Sequence, residues 1–402
     1  MCYVADCVRT AEWDLKVTGT SLLTNSWPLL RWFVSSATLT VPQAAGPVAF
    51  SFIALSLTGS TSGGAAMILA MTLAQIAGAV PLARLGRNLP AATTFRLLIS
   101  FRAMALASIT VCAAYGASFE WLVLFAAAAG LVNGAAYGFL RTLLNHFVLA
   151  SRLPRALGIA STLNEVTFVL APVAASGLAT VSPLLALLAM TTLGALPAIV
   201  VPWTAAVARV EGLPTLHGKL LSPEVLLWFA CAAASGATVA SIEIGAVALA
   251  LNFGYEPALA ITFTVPLCLA SVAGGIWISV RNRMASRTAV VVQLAAMALG
   301  SALAAVNHSM VMTVVGTVLI GVVLAPLGTY FSLALDTLAP PERRPELFAL
   351  LRTSQAGGVV CASALLTFVS LSSALVWVTA LMTAVTLAVA LAPTRLNIQN
   401  RA

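Results

Sequence analysis

The chain has 402 residues, of which 60% are hydrophobic and only 8% are charged. A soluble globular protein carries about 25% charged residues, so this composition excludes an ordinary water-facing surface. The formal net charge of +8 is typical of basic cytoplasmic loops in a membrane protein, and we expect no nucleic-acid partner. Six cysteines and three histidines lack metal-ligand spacing, so we expect no metal, cofactor or disulfide framework.

The apolar residues form blocks about 20 residues long, which is the length that a helix needs to cross a bilayer. The blocks do not alternate with period two, so we expect helices and not a barrel. The sequence therefore predicts an all-α membrane protein with twelve transmembrane helices. The predicted spans are, in chain order, Leu29–Leu57, Gly64–Ala83, Ala91–Tyr115, Trp121–Val148, Ala156–Val181, Pro183–Trp203, Val225–Leu251, Ala258–Val280, Thr288–Val306, Met310–Leu338, Leu347–Leu371 and Ser373–Leu391.

Basic residues follow a strict alternation along the connections between these spans. Every second connection carries arginine or lysine, whereas those near Gly59, Gly116, Ser182, Gly254, His308 and Ser372 carry neither. By the positive-inside rule, we expect a multi-pass protein of the inner membrane with both termini in the cytoplasm. The short loops and the short linker are typical of a protein of a bacterial inner membrane.

The two halves of the chain look duplicated. Basic loops recur after spans 2 and 8, at Arg84–Arg87 and Arg281–Arg287, which are about 197 residues apart in the sequence. Internal repeats of secondary transporters produce such a shift. We expect a cytoplasmic tail (1–28), a six-helix bundle (29–203), a cytoplasmic linker (204–223), a second bundle (224–392) and a tail (393–402).

The loop after span 2 resembles a signature of the major facilitator superfamily. In the stretch from Ala79 to Arg87, three residues match the family pattern G-x-L-a-D-R-x-G-R, namely Arg84, Gly86 and Arg87. Ala83 stands where the family has an aspartate that belongs to a charge network at the inner side, so the resemblance does not imply that network here. The segment from Gly130 to Arg155 is similar to the family's fourth and fifth helices, and Ala171–Gly177 is similar to an exporter motif. The resemblance implies two six-helix bundles that rock about a central cavity lined by helices 1, 4, 7 and 10.

Carboxyl groups inside predicted spans are costly in lipid and usually face a wet cavity or the bundle interior. Glu165 lies ten residues beyond Arg155, so about 15 Å into the layer. Glu243 lies near the outer end of span 7. Both are candidates for carrying a coupling proton; the alternative for Glu165 is a structural partner for a buried arginine or hydroxyl.

Other polar residues suggest a solute path. Asn133, Tyr137 and Arg141 recur at four-residue steps on one face of span 4, although Arg141 is better explained by its side chain reaching the headgroups. Tyr330 corresponds to Arg141 by the duplication. The weaker candidates, each of which could instead form a hydrogen bond between packed helices, are Gln43, Gln75, Arg352 and Gln355. The role of Arg102, a charge in the middle of span 3, is open; pairing with a carboxylate such as Glu165 is one alternative.

We expect a secondary active transporter that expels a small amphipathic or cationic solute as an antiporter with protons. The substrate is then a small molecule, the partners are protons and the lipid bilayer, and the protein is a monomer. The first alternative is an importer or facilitator of a small metabolite. A membrane sensor or an embedded enzyme is the second alternative; no ATP-binding loop, HExxH or GxSxG motif occurs in the sequence, and we expect no catalytic residues.

Overall fold

The computed structural model describes residues 27–60, 62–203 and 222–392. The predicted tails and the linker lie almost wholly outside these residues. The described part contains twelve helices long and apolar enough to cross a membrane, which confirms the predicted all-α membrane fold. We number these helices as spans 1 to 12: Trp27–Thr58, Ser62–Leu85, Ala91–Ala114, Phe119–Leu131 with Asn133–Phe147, Leu153–Val181, Pro183–Val200, Pro223–Asn252, Ile261–Arg281, Arg287–Val306, Met310–Leu338, Arg344–Phe368 and Leu371–Leu391.

The loops at the two ends of the spans differ in charge. One end, which we call the basic face, carries Arg84, Arg87, Arg152, Arg283 and Arg343 in or beside its connections. The other end, the opposite face, has described connections without lysine or arginine. Large apolar side chains are exposed on the outside of the bundle between the two faces, as expected for a surface that contacts lipid.

Spans 2 and 4 cross each other closely, and spans 8 and 10 repeat the same crossing in the second half. Gly78 and Gly130 lie against the carbonyl groups of Leu131 and Met71, respectively. In the second half, Gly274 lies against Val322, and Gly321 against Leu267. Residues without a Cβ atom let two helix backbones approach, which is a common way to pack helices in membranes. The equivalent crossings support the internal duplication read from the loops.

Arginine side chains also cap the last helix of each half at the basic face. Arg96 of span 3 donates to the carbonyls of Ala198 and Val201 at the end of span 6. Arg287 of span 9 donates to carbonyls at the end of span 12, including those of Val389 and Ala392. The last carbonyls of a helix have no partner within it and carry partial negative charge, so a cation stabilises this end.

The two halves contact each other mainly toward the basic face. Gly138 of span 4 packs against Pro345 of span 11, and Gly158 of span 5 packs against Ser279 of span 8. Toward the opposite face, the buried apolar cluster that contains Phe50, Ile53 and Met67 is built from residues of the first half alone. The halves are therefore closed at the basic face and separated toward the opposite face.

The glycine crossing gives a test of the packing. We expect Gly130→Ala to destabilise the protein by about 1–3 kcal/mol, because the new Cβ atom overlaps the backbone of Met71. The control is Gly177→Ala in span 5, where a Cβ atom meets nothing within 4 Å. Thermal unfolding of the purified protein measures both variants, and an equal effect of the two would contradict the close crossing.

Candidate functional site

Arg102 lies deep in the N-terminal half and is only 2% exposed. Its guanidinium donates to the carbonyl of Leu39 in span 1 (2.9 Å), the carbonyl of Gly194 in span 6 (2.8 Å) and Oδ1 of Asn133 in span 4 (3.1 Å). Among the described residues, Arg102 makes no hydrogen bond to Glu165. Arg102 thus ties spans 1, 3, 4 and 6 together, and the proposed carboxylate partner is replaced by carbonyl and amide oxygens.

A chain of polar side chains runs from Arg102 to the boundary between the halves. Asn133 donates from Nδ2 to Oε1 of Gln75 (2.9 Å), and Gln43 donates from Nε2 to the same oxygen. Arg352 of span 11 then donates from Nη2 to Oε1 of Gln43 (2.7 Å). The network joins five spans from both halves near the middle of the membrane layer.

Arg352 is the site residue that sequence reasoning ranked too low. It lies eight residues beyond Arg344, which is about 12 Å into the layer. Arg352 thus lies at a depth comparable to that of Glu165, which is about 15 Å into the layer. Its guanidinium lies 5.7 Å from the ring centre of Tyr137 in span 4, within the range of a cation–π contact.

The predicted stripe on span 4 occupies one face of the helix Asn133–Phe147 and meets three different neighbours. Asn133 joins the central network, Tyr137 faces Arg352, and Arg141 donates to the hydroxyl of Ser332 in span 10 (2.6 Å). Arg141 is 2% exposed, so the expectation that it reaches the headgroups is wrong; its side chain crosses to the other half instead.

Two further candidates lie in the C-terminal half. Tyr330 is buried and packs edge-on against Trp228 with ring centres 5.1 Å apart. Gln355 lies about one turn beyond Arg352 in span 11, where its backbone carbonyl faces Gly236 of span 7, and it is partly exposed. Of these two, the partly exposed Gln355 is the better placed to meet a solute between the halves.

The structure brings the two carboxyl candidates into one cluster. Glu165 in span 5 and Glu243 in span 7 lie within electrostatic range of each other, and Cys268 in span 8 interacts with both. Glu165 is partly exposed and Glu243 is exposed. Glu165 belongs to the first half and Glu243 to the second, so the two carboxyl groups influence each other across the boundary between the halves. Sequence spacing gave no sign of this proximity.

Polar contacts across the halves are concentrated at the basic face. Arg84 of span 2 pairs with Glu346 of span 11 at 2.7 Å. Asn145 of span 4 donates to Asp336 of span 10 at 2.7 Å, and Asp336 also forms an ion pair with Arg344 at 3.3 Å. Next to spans 5 and 8, the Asn282 side chain accepts from the backbone N–H of Arg155 and donates to the carbonyl of Ser151. These contacts close the basic face.

The sequence model of the Major Facilitator Superfamily matches residues 32–362. This chain belongs to the major facilitator superfamily. The match covers most of the twelve spans, so the resemblance read from the loop after span 2 is confirmed at the level of the family. No curated protein sequence matches the chain in a direct comparison.

Solved structures of transporters share the fold at low sequence identity. A bacterial homologue of the iron transporter ferroportin in an outward-facing state has 15% identity and a TM-score of 0.72, covering 91% of this chain and 99% of its own. The human organic anion transporter MFSD10 (TETRAN) has 13% identity and a TM-score of 0.69, covering 90% and 98%. The Escherichia coli fucose:proton symporter FucP has 12% identity and a TM-score of 0.69, covering 91% and 99%. These likenesses show the fold.

The family loop after span 2 departs from its pattern at Ala83, and the structure shows what stands in its place. Ala83 is buried in a small apolar cluster with Ala79, Ala135 and Ala349, the last from the other half. Gly86 packs against Thr94 and Phe139, whereas Arg87 is exposed. The carboxylate beside Arg84 comes from Glu346, in the first turn of span 11. An acidic group on the second half thus pairs with the loop of the first half.

This ion pair gives a test of the closed basic face. We expect Glu346→Gln to raise the labelling rate of a single reporter cysteine at Ala349, a buried residue between the halves, by water-soluble maleimide. A coupling of about 1 kcal/mol corresponds to about a fivefold faster reaction, since Arg84 is largely exposed and the pair is screened by water.

The charge swap Arg84→Glu with Glu346→Arg should restore slow labelling, and the matched control Arg87→Gln should leave the rate unchanged. Equal labelling in Glu346→Gln and in the reporter background would show that the pair does not hold this face closed.

Proposed function

We propose that this family member is a proton-coupled transporter in which Glu165 and Glu243 carry the proton. The proposal rests on one observation: these two carboxyl groups, from different halves, lie within electrostatic range at the space between the halves. When the halves move relative to each other, the distance between the two groups changes. Their tendency to share a proton changes with that distance, because two nearby carboxylates resist simultaneous ionisation.

The orientation in the membrane follows from the charges of the loops. The basic face carries the arginine-containing connections, so we place it in the cytoplasm by the positive-inside rule. The closed basic face and the separated opposite face then correspond to an outward-facing state of an alternating-access cycle. A multi-pass protein of the inner membrane with both termini in the cytoplasm, acting as a monomer, fits this orientation.

Efflux remains the proposed direction, and import or facilitated passage of a small metabolite remains the alternative. The expectation of an amphipathic or cationic solute rested on acidic groups in apolar walls. Arg352 places a cation at the boundary between the halves as well, so the proposal does not include a cationic solute. Membership of a transporter family favours transport over a sensor or an embedded enzyme.

The test is accumulation of a labelled panel of dyes, drugs and small metabolites in cells that lack their own efflux pumps. We expect the wild-type protein to change accumulation of at least one compound, and a protonophore to abolish that change. Glu165→Gln and Glu243→Gln should each reduce transport to the level seen with the protonophore, because an amide cannot bind and release a proton at neutral pH.

The matched control is Glu120→Gln, which alters an exposed carboxylate at the start of span 4 and should keep full transport. A decrease in accumulation indicates efflux, and an increase indicates import. Transport that persists in both glutamine variants at normal expression, or that survives the protonophore, would contradict proton coupling at this pair.

A further inference from the structure

The central network has a fixed hydrogen-bond direction that follows from its two ends. Arginine donates and never accepts, so Oδ1 of Asn133 must face Arg102 and Oε1 of Gln43 must face Arg352. The amide nitrogens of Asn133 and Gln43 then both point at Oε1 of Gln75. All three amide oxygens in the chain are therefore occupied by donors.

The groups that remain unused in this network are N–H donors. Nε2 of Gln75 and Nε of Arg102 have no hydrogen-bond partner within the described residues. Arg352 makes one hydrogen bond there, to Gln43, and a guanidinium has five N–H donors. A polar site at which unused N–H donors outnumber the remaining acceptors is complementary to an acceptor-rich ligand, above all to an anion.

Charge balance leads to the same conclusion. The two ion pairs found among the described residues use Glu346 with Arg84 and Asp336 with Arg344, and neither includes Arg102 or Arg352. Glu165 and Glu243 interact with each other and with Cys268. Neither cation of the network therefore has a carboxylate at bonding distance. Carbonyl and amide oxygens compensate Arg102, whereas Arg352 has only the amide oxygen of Gln43 among the described residues, so a counter-ion would stabilise Arg352 inside the membrane.

One end of the network is accessible. Arg102, Asn133 and Gln75 are buried, whereas Gln43, Tyr137 and Arg352 are partly exposed. Arg352 also joins the halves, since it lies in span 11 and bonds to Gln43 in span 1. Its planar fork of donors matches a carboxylate or a phosphate in two parallel hydrogen bonds, and the ring of Tyr137 flanks it.

We propose that Arg352, with Gln43 and Tyr137, binds the oxyanion of a small organic anion that the protein transports. The proposal rests on the proposed transport function and supplies its substrate class. The bound anion neutralises Arg352 and bridges the two halves, while the proton travels separately on the pair Glu165 and Glu243. The site takes carboxylates and phosphonates by the same contacts.

Thermal unfolding of the purified full chain in detergent tests this class without a membrane or a gradient. The probes are benzoate and phenylphosphonate as anions, benzylamine as the cation and benzyl alcohol as the neutral analogue, each at millimolar concentration. We expect the anions to raise the unfolding temperature and the other two probes to leave it unchanged. The proposal would be overturned if benzylamine stabilised the protein, or if neither anion did.

Variants locate the effect. Arg352→Gln should weaken the apparent affinity for the stabilising anion about tenfold or more, the factor expected on loss of a charge-assisted hydrogen bond. Arg352→Lys should keep part of it, and Arg283→Gln, at an exposed arginine of the basic face, should keep all of it. Gln43→Glu, which places a carboxylate beside an intact Arg352, should also abolish the stabilisation and covers the case in which Arg352→Gln does not fold.

Unchanged affinity in Arg352→Gln or in Gln43→Glu would overturn the assignment. Binding and transport fail separately in these assays. Anion binding that survives without proton-dependent transport removes only the proposed coupling, whereas transport of the cell panel without anion binding removes only the substrate class.

Discussion

A polar or charged side chain inside a bilayer must find its partner within the protein or in a wet cavity, because lipid offers none. This constraint organises the structure from Arg102 outward. Arg102 donates hydrogen bonds to carbonyls of spans 1 and 6 and to Asn133. The side-chain amides of Asn133, Gln75 and Gln43 then connect it to Arg352 by hydrogen bonds. The one accessible end of that network lies where the two halves meet, which is where a transporter of this family needs its solute.

The same constraint explains why the halves close at the basic face. Arg141, Asn145 and Asp336 satisfy one another and Ser332 across the gap between spans 4 and 10, while Arg84 and Glu346 do so between spans 2 and 11. The pair of Arg84 and Glu346 is worth little by itself, because Arg84 is largely exposed and water screens the pair. Opening this face replaces the polar contacts between the halves with bonds to water, so the face can close and reopen, as alternating access requires.

The fold was predictable because the length and hydropathy of the spans and the charge of the loops can be read from the sequence alone. The predicted helix bounds differ from those of the structure by only a few residues. The site was predictable in part. The depth of Glu165, Glu243 and Arg102 follows from counting along a helix, but their partners depend on how helices rotate against one another. That rotation brings Glu165 near Glu243, buries Arg141, and places Arg352 beside Tyr137. No spacing in a single chain encodes it.

The most direct test of the account is the pair of distances between spin labels on the two halves, measured by pulsed electron resonance in lipid nanodiscs. One pair at Arg152 and Arg283 reports the basic face, and one pair at Val181 and Tyr255 reports the opposite face. A closed basic face and a separated opposite face predict a short, narrow distance for the first pair and a longer distance for the second. A long, broad distance at the basic face together with a short one at the opposite face would contradict this arrangement.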